Sequence, residues 1–152
     1  KLMLSDNFKE KLQECLNLSS LRTLESLGAE MKGRIHQDGL KTDGSEIGDY
    51  SDTFKIRQGD TYIKYKDYRR ARGRQIEKID LHLEGNLENS LQVGVVGDRY
   101  VLGFDSVEQF DLASKHTQHY GKIWGVNDEE MQIARETFSK IYQQCLAKLS
   151  RK

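Results

Sequence analysis

Proline is absent from this chain of 152 residues, although glycine occurs 13 times. Without proline, tight turns have to be made by glycine, asparagine and aspartate, which tolerate the backbone angles that turns require. Gly39 and the Gly97-Asp98 pair are therefore predicted to end or reverse the chain locally.

Cysteine is also scarce, with only Cys15 and Cys145 present, and the N-terminus shows no signal-peptide pattern. Disulfides are rare in proteins of the reducing cytosol. We therefore expect two reduced and packed thiols, and a disulfide between them is the alternative if the terminal helices touch.

The formal net charge is zero, because 24 basic side chains balance 24 acidic ones. A neutral chain has no overall field that draws it to nucleic acid or to an acidic membrane. The exception is local: in residues 65–80 the cations outnumber the acids, and the balance reverses from residue 81 onward. Such an asymmetry suits self-association as readily as nucleic-acid binding.

Apolar residues make up only 36% of the chain, and the mean hydropathy is −0.74. A chain this polar either carries long polar loops or completes its burial against neighbouring molecules. No apolar run approaches the roughly 18 residues that span a bilayer. The composition therefore predicts a soluble, intracellular protein.

Helices are predicted at both ends of the chain. A first short helix is interrupted at residues 17–20, and a second covers about residues 20–37. The clearest helix begins after Asn127, which forms a capping pair with Glu130. A further short helix is expected over residues 107–120.

The middle of the chain predicts a long loop and a small sheet. Residues 38–61 contain four glycines and no sustained period, which is typical of a functional or partner-ordered loop. Residues 79–84 alternate apolar and polar side chains like a strand, and residues 90–96 and 99–104 predict a hairpin. The prediction is an α+β single domain over residues 1–152, with N- and C-terminal helices packed on a small, mainly antiparallel sheet. Residues 1–19 would be an added N-terminal helix.

No motif indicates catalysis, a cofactor or a metal. Nucleophile and phosphate-loop signatures are missing from the sequence. His116 and His119 share a helix face, but no recognised zinc-ligand pattern accompanies them, so polar surface or interface histidines are favoured. A nuclease centre built from Asp80, Glu84 and Lys78 is a remote alternative, because alternating residues of a strand share a face for ordinary reasons.

The stretch YKDYRRARGRQ, residues 65–75, is the strongest candidate for binding. Arginines with nearby aromatics suit phosphate recognition, and they are also enriched in protein interfaces. The neutral chain favours an interface with protein, and a small nucleic-acid-binding module that uses the Arg69–Arg74 stretch is the alternative. The candidate contact residues are Tyr50, Tyr62, Tyr65, Tyr68, Arg69, Arg70, Arg72, Arg74 and Trp124.

The order of four motifs resembles that of the tail-completion, or virion-morphogenesis, proteins of tailed bacteriophages. The motifs are GRIHQDGL (33–40), TDGSEIGDYS (42–51), YRRARGRQIEKIDLHLEGNLENSLQV (68–93) and HTQHYGKIWGVNDEEMQIARETFSKIYQQCLAKL (116–149). In that family a helix ending in Arg-Ile runs into an Asp-Gly loop, and a Gly-Arg-Gln stretch leads to a strand and a hairpin. A Gly-aromatic-Gly bend then precedes an acid-capped final helix.

The resemblance implies a small α+β subunit of the head-to-tail connector, or neck, without enzymatic activity. It implies a homo-oligomeric ring of about six or twelve copies, with portal, adaptor and tail proteins as partners. The subunit would assemble in the host cytoplasm and reside in the virion. Packaged DNA would pass close to the ring without sequence-specific contact.

Overall fold

The computed structural model describes residues 6–82 and 84–150. Helix makes up 55% of the structure, and the strands form two antiparallel sheets of two strands each, so the predicted α+β class is confirmed. The elements in chain order are α1 (Asp6–Lys32), a π-helical turn (Gly33–Gln37), β1 (Lys55–Gln58), β2 (Thr61–Lys64), α2 (Tyr65–Arg70), α3 (Asn86–Ser90), β3 (Leu91–Val96), β4 (Arg99–Phe104), α4 (Val107–Tyr120) and α5 (Asp128–Leu149).

The chain divides into two compact units, each assembled from separated segments. Unit 1 contains residues 6–30, 92–103 and 126–150 of the described chain. Unit 2 contains residues 31–82, 84–91 and 104–125. That the whole chain folds as one domain stays a prediction.

Helix α1 is continuous from Asp6 to Lys32, so the predicted interruption at residues 17–20 is wrong. Serine and asparagine weaken helices because their side chains compete for backbone groups. Here the Ser19 hydroxyl, which is fully buried, donates to the carbonyl of Cys15 at 2.7 Å and stays within the helix. The separate N-terminal helix predicted for residues 1–19 is therefore the first part of α1 from Asp6 onward, and residues 1–5 lie outside the described residues.

Cys15 and Cys145 form a disulfide, so the expectation of two reduced thiols is wrong. The bond joins α1 to α5 within unit 1, and the two Cα atoms are 5.7 Å apart. The alternative of a disulfide between touching terminal helices is confirmed. The sequence could not decide this point, because contact between residues 130 positions apart depends on tertiary packing.

The loop predicted for residues 38–61 contains regular structure, and it ends before Lys55, where β1 begins. A β-bridge joins Leu40 to Glu46, and β1 occupies Lys55–Gln58 of the predicted loop. Strand β1 pairs with β2 in an antiparallel hairpin, with Ile56 opposite Ile63. The sequence does not predict β1, because this strand is short and mostly exposed and therefore lacks a clear apolar alternation.

The strand predicted for residues 79–84 is absent from residues 79–82 and from Glu84, and residue 83 lies outside the described residues. Leu81 has a φ of 51°, a backbone conformation that branched residues rarely adopt and that interrupts an extended chain. Ile79 and Asp80 are both buried, so this segment does not alternate between a buried and an exposed face.

Several other predictions based on local signals are confirmed. Strands β3 and β4 form the expected hairpin around Gly97 and Asp98, and α4 ends before Gly121. Asn127 and Glu130 form a full capping box at the start of α5. Among the described residues, no helix is both long enough and apolar enough to cross a membrane.

Unit 2 has a compact apolar core, and Gly39 lets the backbone pass close to Ile79 of this core. Gly39 ends the first helical region with a φ of 68°, and a Cβ there would lie 2.9 Å from the carbonyl oxygen of Ile79. Only glycine permits this close approach of two backbone segments. The buried core residues are Ile35, Ile47, Tyr50, Ile79 and Ile123, with Tyr65, Leu81, Tyr120 and Trp124 packed against them.

Candidate functional site

The central feature of unit 2 is a buried ion pair between Arg69 of α2 and Asp80. Arg69 is 1% exposed and Asp80 is 5% exposed. One Arg69 terminal nitrogen lies 2.9 and 3.1 Å from the two Asp80 carboxylate oxygens. The other nitrogens donate to the carbonyls of Gln75 at 3.0 Å and His82 at 2.8 Å. Buried charges require this degree of pairing to be tolerated.

The Asp80 carboxylate accepts further hydrogen bonds from three other residues of the chain. The Tyr50 hydroxyl donates at 2.9 Å, the Gln75 side-chain amide at 2.7 Å and the His82 backbone N–H at 3.0 Å. Both carboxylate oxygens are therefore engaged within the chain. This arrangement does not favour the alternative of a nuclease centre on Asp80, which stays a prediction.

Tyr50 lies against the same ion pair. The Arg69 guanidinium carbon lies 4.3 Å from the centre of the Tyr50 ring, a cation–π arrangement. Burial, reinforced by the negative charge of Asp80, raises the pKa of the Tyr50 hydroxyl far above its ordinary value. Tyr50 thus remains protonated and donates to Asp80. We call Tyr50, Arg69, Gln75 and Asp80 the polar cluster.

Arg34 is a second buried arginine with a structural role. It is 7% exposed, and its guanidinium donates to the carbonyls of Leu40, Ile123 and Gly125 at 2.8 to 3.2 Å. These bonds tie the π-helical turn to the bend that precedes α5, all within unit 2. The Arg-Ile and Gly-aromatic-Gly motifs of the sequence are therefore in direct contact.

The remaining arginines of the basic stretch have different surroundings from Arg69. Arg70 pairs with Asp67 at 2.7 Å on the surface, and the Arg72 guanidinium lies 3.6 Å from the centre of the Tyr68 ring. Arg74 is half-buried. The structure does not unite the four arginines in one exposed patch, because Arg69 points inward. Arg69 is therefore not an exposed contact residue in the single chain.

Most of the aromatic candidates also face inward. Tyr50 is buried, and Tyr65 packs its ring against Tyr50, Phe54 and Tyr68. Trp124 is half-buried and packs edge-to-face on Phe104 at 5.0 Å. Tyr50 is therefore not an exposed contact residue in the single chain, whereas the contact role of the half-buried Trp124 stays a prediction.

Tyr62 is the exposed aromatic of this group. It lies on β2 and is 68% exposed. Local spacing does not distinguish Tyr62 from the buried Tyr50, because burial depends on contacts between distant parts of the chain.

Large apolar side chains lie on the surface at several places. Val95 and Val96, at the end of β3, are 67% and 66% exposed, and Phe54 is 56% exposed. On α4, Val107 is 78% exposed and Phe110 is 59% exposed. Folding of the single chain therefore leaves apolar surface uncovered at these positions.

A groove of about 1140 Å³ lies within unit 2. Phe54, Leu87 and Leu112 contribute apolar surface to it, and Lys55 and Glu108 contribute opposite charges. Asp49 and Glu84 also line the groove, so its acids outnumber its one lysine, and the groove suits an apolar segment that carries a cation.

His36, His82 and Glu88 form a cluster that local spacing did not reveal. Each offers one ligand atom, and these atoms lie within 4.8 Å of one another. His82 Nδ1 contacts the Glu88 carboxylate, and His36 Nδ1 lies 2.9 Å from the Asp80 carbonyl oxygen. Burial is the main cause that lowers the pKa of His36. A signal was present in retrospect, since His36 and His82 both lie within the quoted motifs, but their separation by 46 positions gives no metal-site pattern.

The two histidines predicted to lie on one helix face are both on α4, where they contact the same ring. The rings of His116 and His119 lie 6.2 and 4.5 Å from that of Tyr120. His119 is exposed, and burial lowers the pKa of the half-buried His116. Both residues line the groove.

No protein-family model, curated protein or solved structure matches this chain. The resemblance to tail-completion proteins therefore stands on its sequence motifs alone.

Proposed function

We propose that this chain is a structural virion subunit of a tailed bacteriophage. In this proposal it forms a ring at the head-to-tail junction, as a connector or tail-completion subunit, and joins the portal or adaptor to the tail. The observation that carries the proposal is the exposed apolar surface at Val95 and Val96, together with a groove that is open to solvent in the single chain. Exposed apolar patches of this kind are typical of surfaces that other protein molecules cover.

A ring requires a heterologous interface, in which one face of a subunit meets a different face of the next. The tip of the β3–β4 hairpin and the groove supply two such faces. The tip presents Val95 and Val96, followed by Asp98 and Arg99. The groove presents apolar side chains with Lys55 and Glu108. Apolar surface and charges of both signs are thus available on both faces, so the tip of one copy enters the groove of the next.

The β1–β2 hairpin is the proposed contact with portal, adaptor or tail proteins. It displays Tyr62 with the exposed cations Arg57 and Lys64. This hairpin is the part of the predicted loop and basic stretch that lies most fully on the surface. Tyrosine and arginine are the side chains that contribute most often to binding energy at protein interfaces.

The alternative of a nucleic-acid-binding module loses support from the structure of the basic stretch. Arg69 is fully committed to Asp80, and Arg70 is paired with Asp67. Binding through phosphates would weaken steeply with salt, by roughly one unit of log–log slope for each contact. An Arg70→Ala/Arg72→Ala variant that lost strong, salt-dependent DNA binding would support the alternative over the ring.

The ring proposal is tested with two variants that each disable one face. Val95→Asp/Val96→Asp replaces the apolar surface of the tip with negative charge, and Phe54→Asp places a negative charge in the groove. Neither variant alone should form rings, because each lacks one half of every contact. When the two are mixed, the intact groove of the first should accept the intact tip of the second. The mixture should therefore give heterodimers and no rings, measured by native mass spectrometry.

Val107→Asp is the matched control, since Val107 is the most exposed large apolar side chain among the described residues and belongs neither to the tip nor to the groove lining. This variant should assemble like the unmodified chain. The proposal fails if the unmodified chain stays monomeric at high concentration and in the presence of portal and tail proteins. Rings formed by either face variant would refute the tip-in-groove contact.

A further inference from the structure

We propose that His36, His82 and Glu88 bind a divalent transition-metal ion, for which Zn²⁺ is the best match. These residues come from the π-helical turn, the segment before α3 and α3 itself, so the ion would join three parts of unit 2. The site does not depend on the proposed ring, and each proposal can fail without the other.

The donor set favours zinc over the hard cations. Imidazole nitrogen suits zinc and its neighbours in the first transition series, whereas Ca²⁺ and Mg²⁺ prefer oxygen ligands. Two histidines and one glutamate form a known type of zinc site that keeps a fourth position for water. The ligand atoms lie within 4.8 Å of one another. Tetrahedral zinc spaces its ligands at about 3.3 to 3.6 Å, so side-chain adjustments of about 1 Å complete the site.

The hydrogen bonds of His36 identify its free nitrogen. Nδ1 lies 2.9 Å from the carbonyl oxygen of Asp80, which can only accept, so Nδ1 carries the hydrogen. Nε2 consequently has the free lone pair. This atom is buried and has no hydrogen-bond partner among residues 6–82 and 84–150, and His36 is only 7% exposed. A buried lone pair without a partner is costly unless a ligand satisfies it.

The surroundings of His36 resemble the support that metal-binding histidines receive. Such histidines usually donate their other ring N–H to a carboxylate or a backbone carbonyl, which fixes the ring. Here the carbonyl belongs to Asp80, whose side chain is held by Arg69 and Tyr50. The polar cluster therefore positions the acceptor that orients His36.

The other two ligands are also held in place before any ion binds. His82 Nδ1 donates to the Glu88 carboxylate, and both side chains are about one quarter exposed. Their partial exposure gives an ion a path from solvent to the buried His36 nitrogen. On zinc binding the hydrogen between His82 Nδ1 and Glu88 is released, and His82 carries its hydrogen on Nε2 instead, so that Nδ1 and the adjacent Glu88 carboxylate oxygen ligate the same ion.

The test uses tag-free full chain that has been stripped with EDTA and dialysed. Zn²⁺ is added in competition with the chromogenic chelator 4-(2-pyridylazo)resorcinol, and Co²⁺ is added separately to record its visible spectrum. We expect one ion per chain and the intense absorption of tetrahedral Co²⁺. His82→Ala and Glu88→Gln should each weaken zinc binding at least tenfold. Replacing a residue that only hydrogen-bonds to a metal ligand already weakens metal binding by about 10- to 100-fold.

His119→Ala and Glu84→Gln are the matched controls. His119 is an exposed histidine, Glu84 is an exposed acid near the cluster in sequence, and neither belongs to the ligand set. Both variants should bind zinc like the unmodified chain. Circular dichroism establishes that each variant is folded before its affinity is compared.

A second readout addresses His36, whose replacement could unfold unit 2. Long-range ¹H–¹⁵N spectra of the stripped chain should show Nδ1 protonated and Nε2 bare, and Zn²⁺ should shift Nε2 most. The proposal is overturned if the unmodified chain takes up no stoichiometric zinc or cobalt. It is equally overturned if His82→Ala and Glu88→Gln bind as tightly as the two controls.

Discussion

The polar cluster and the tip of the β3–β4 hairpin reverse the usual distribution of side chains. In the cluster, a charged arginine and a charged aspartate are buried beneath the surface of unit 2. At the tip, Val95 and Val96 are about two-thirds exposed. Charged side chains are normally outside, and valine is among the residues most often buried. The contrast suggests separate roles, since directional hydrogen bonds specify one arrangement of loops, while exposed apolar surface favours association.

The largest expected effect comes from breaking the polar cluster. Arg69→Met leaves the Asp80 carboxylate buried without its charged partner, which typically costs about 3–5 kcal/mol of folding free energy. Urea unfolding followed by circular dichroism measures the loss. Arg70→Met is the matched control, because its exposed ion pair is worth about 0–1 kcal/mol. Equal losses in the two variants would show that the buried pair has no special role.

Unit 1 offers a covalent counterpart to the polar cluster. Replacing Cys15 and Cys145 together by serine should lower the free energy of unfolding by about 2–5 kcal/mol, since the unfolded chain gains freedom when the cross-link is lost. The unmodified chain with a reducing agent should approach the same stability. If the reducing agent and the double substitution leave the unfolding midpoint unchanged, the disulfide does not stabilise unit 1.

A smaller effect is expected from His116, whose pKa in the folded chain is lowered by burial. The unfolded chain then binds a proton at higher pH than the folded chain does. Stability contributed by neutral His116 is complete above its ordinary pKa of 6.5 and is lost as the pH falls through the lower folded value.

This pH dependence is measured by urea unfolding at about pH 7.5 and pH 5.5 in the presence of EDTA. His116→Gln cannot titrate and should show a smaller difference between the two pH values. His119→Gln is the control and should behave like the unmodified chain. A pH dependence that is unchanged in His116→Gln would contradict the assignment.

The smallest effect on folding is expected at the hairpin tip. Val95→Asp/Val96→Asp changes exposed positions, so the free energy of unfolding of the monomer should change by only about 0.5 kcal/mol. Its effect should appear in assembly instead. A large loss of monomer stability would mean that the two valines serve folding, and the contrast with the polar cluster would collapse.

The sequence predicts those features that depend on neighbours in the chain. The capping box of Asn127 and Glu130 is encoded within four residues, and the turn at Gly97 is encoded within two. These elements appear where expected. The α+β class follows from them, because helices and hairpins recur in a recognisable order.

Features that depend on distant partners escape such predictions. Arg69 looks like its neighbours in the sequence, and only its contact with Asp80 sends it inward. Leu81 fits a strand by alternation, yet its positive φ breaks the strand. Likewise, His36 becomes a candidate ligand only after folding brings it to His82 and Glu88.

Native mass spectrometry of the unmodified full chain over a range of concentrations tests the central claim most directly. The account predicts a closed ring of one defined stoichiometry, which forms at higher concentration or on addition of portal or tail proteins. A population that stays monomeric under all of these conditions would contradict the claim that the exposed apolar surface serves ring assembly.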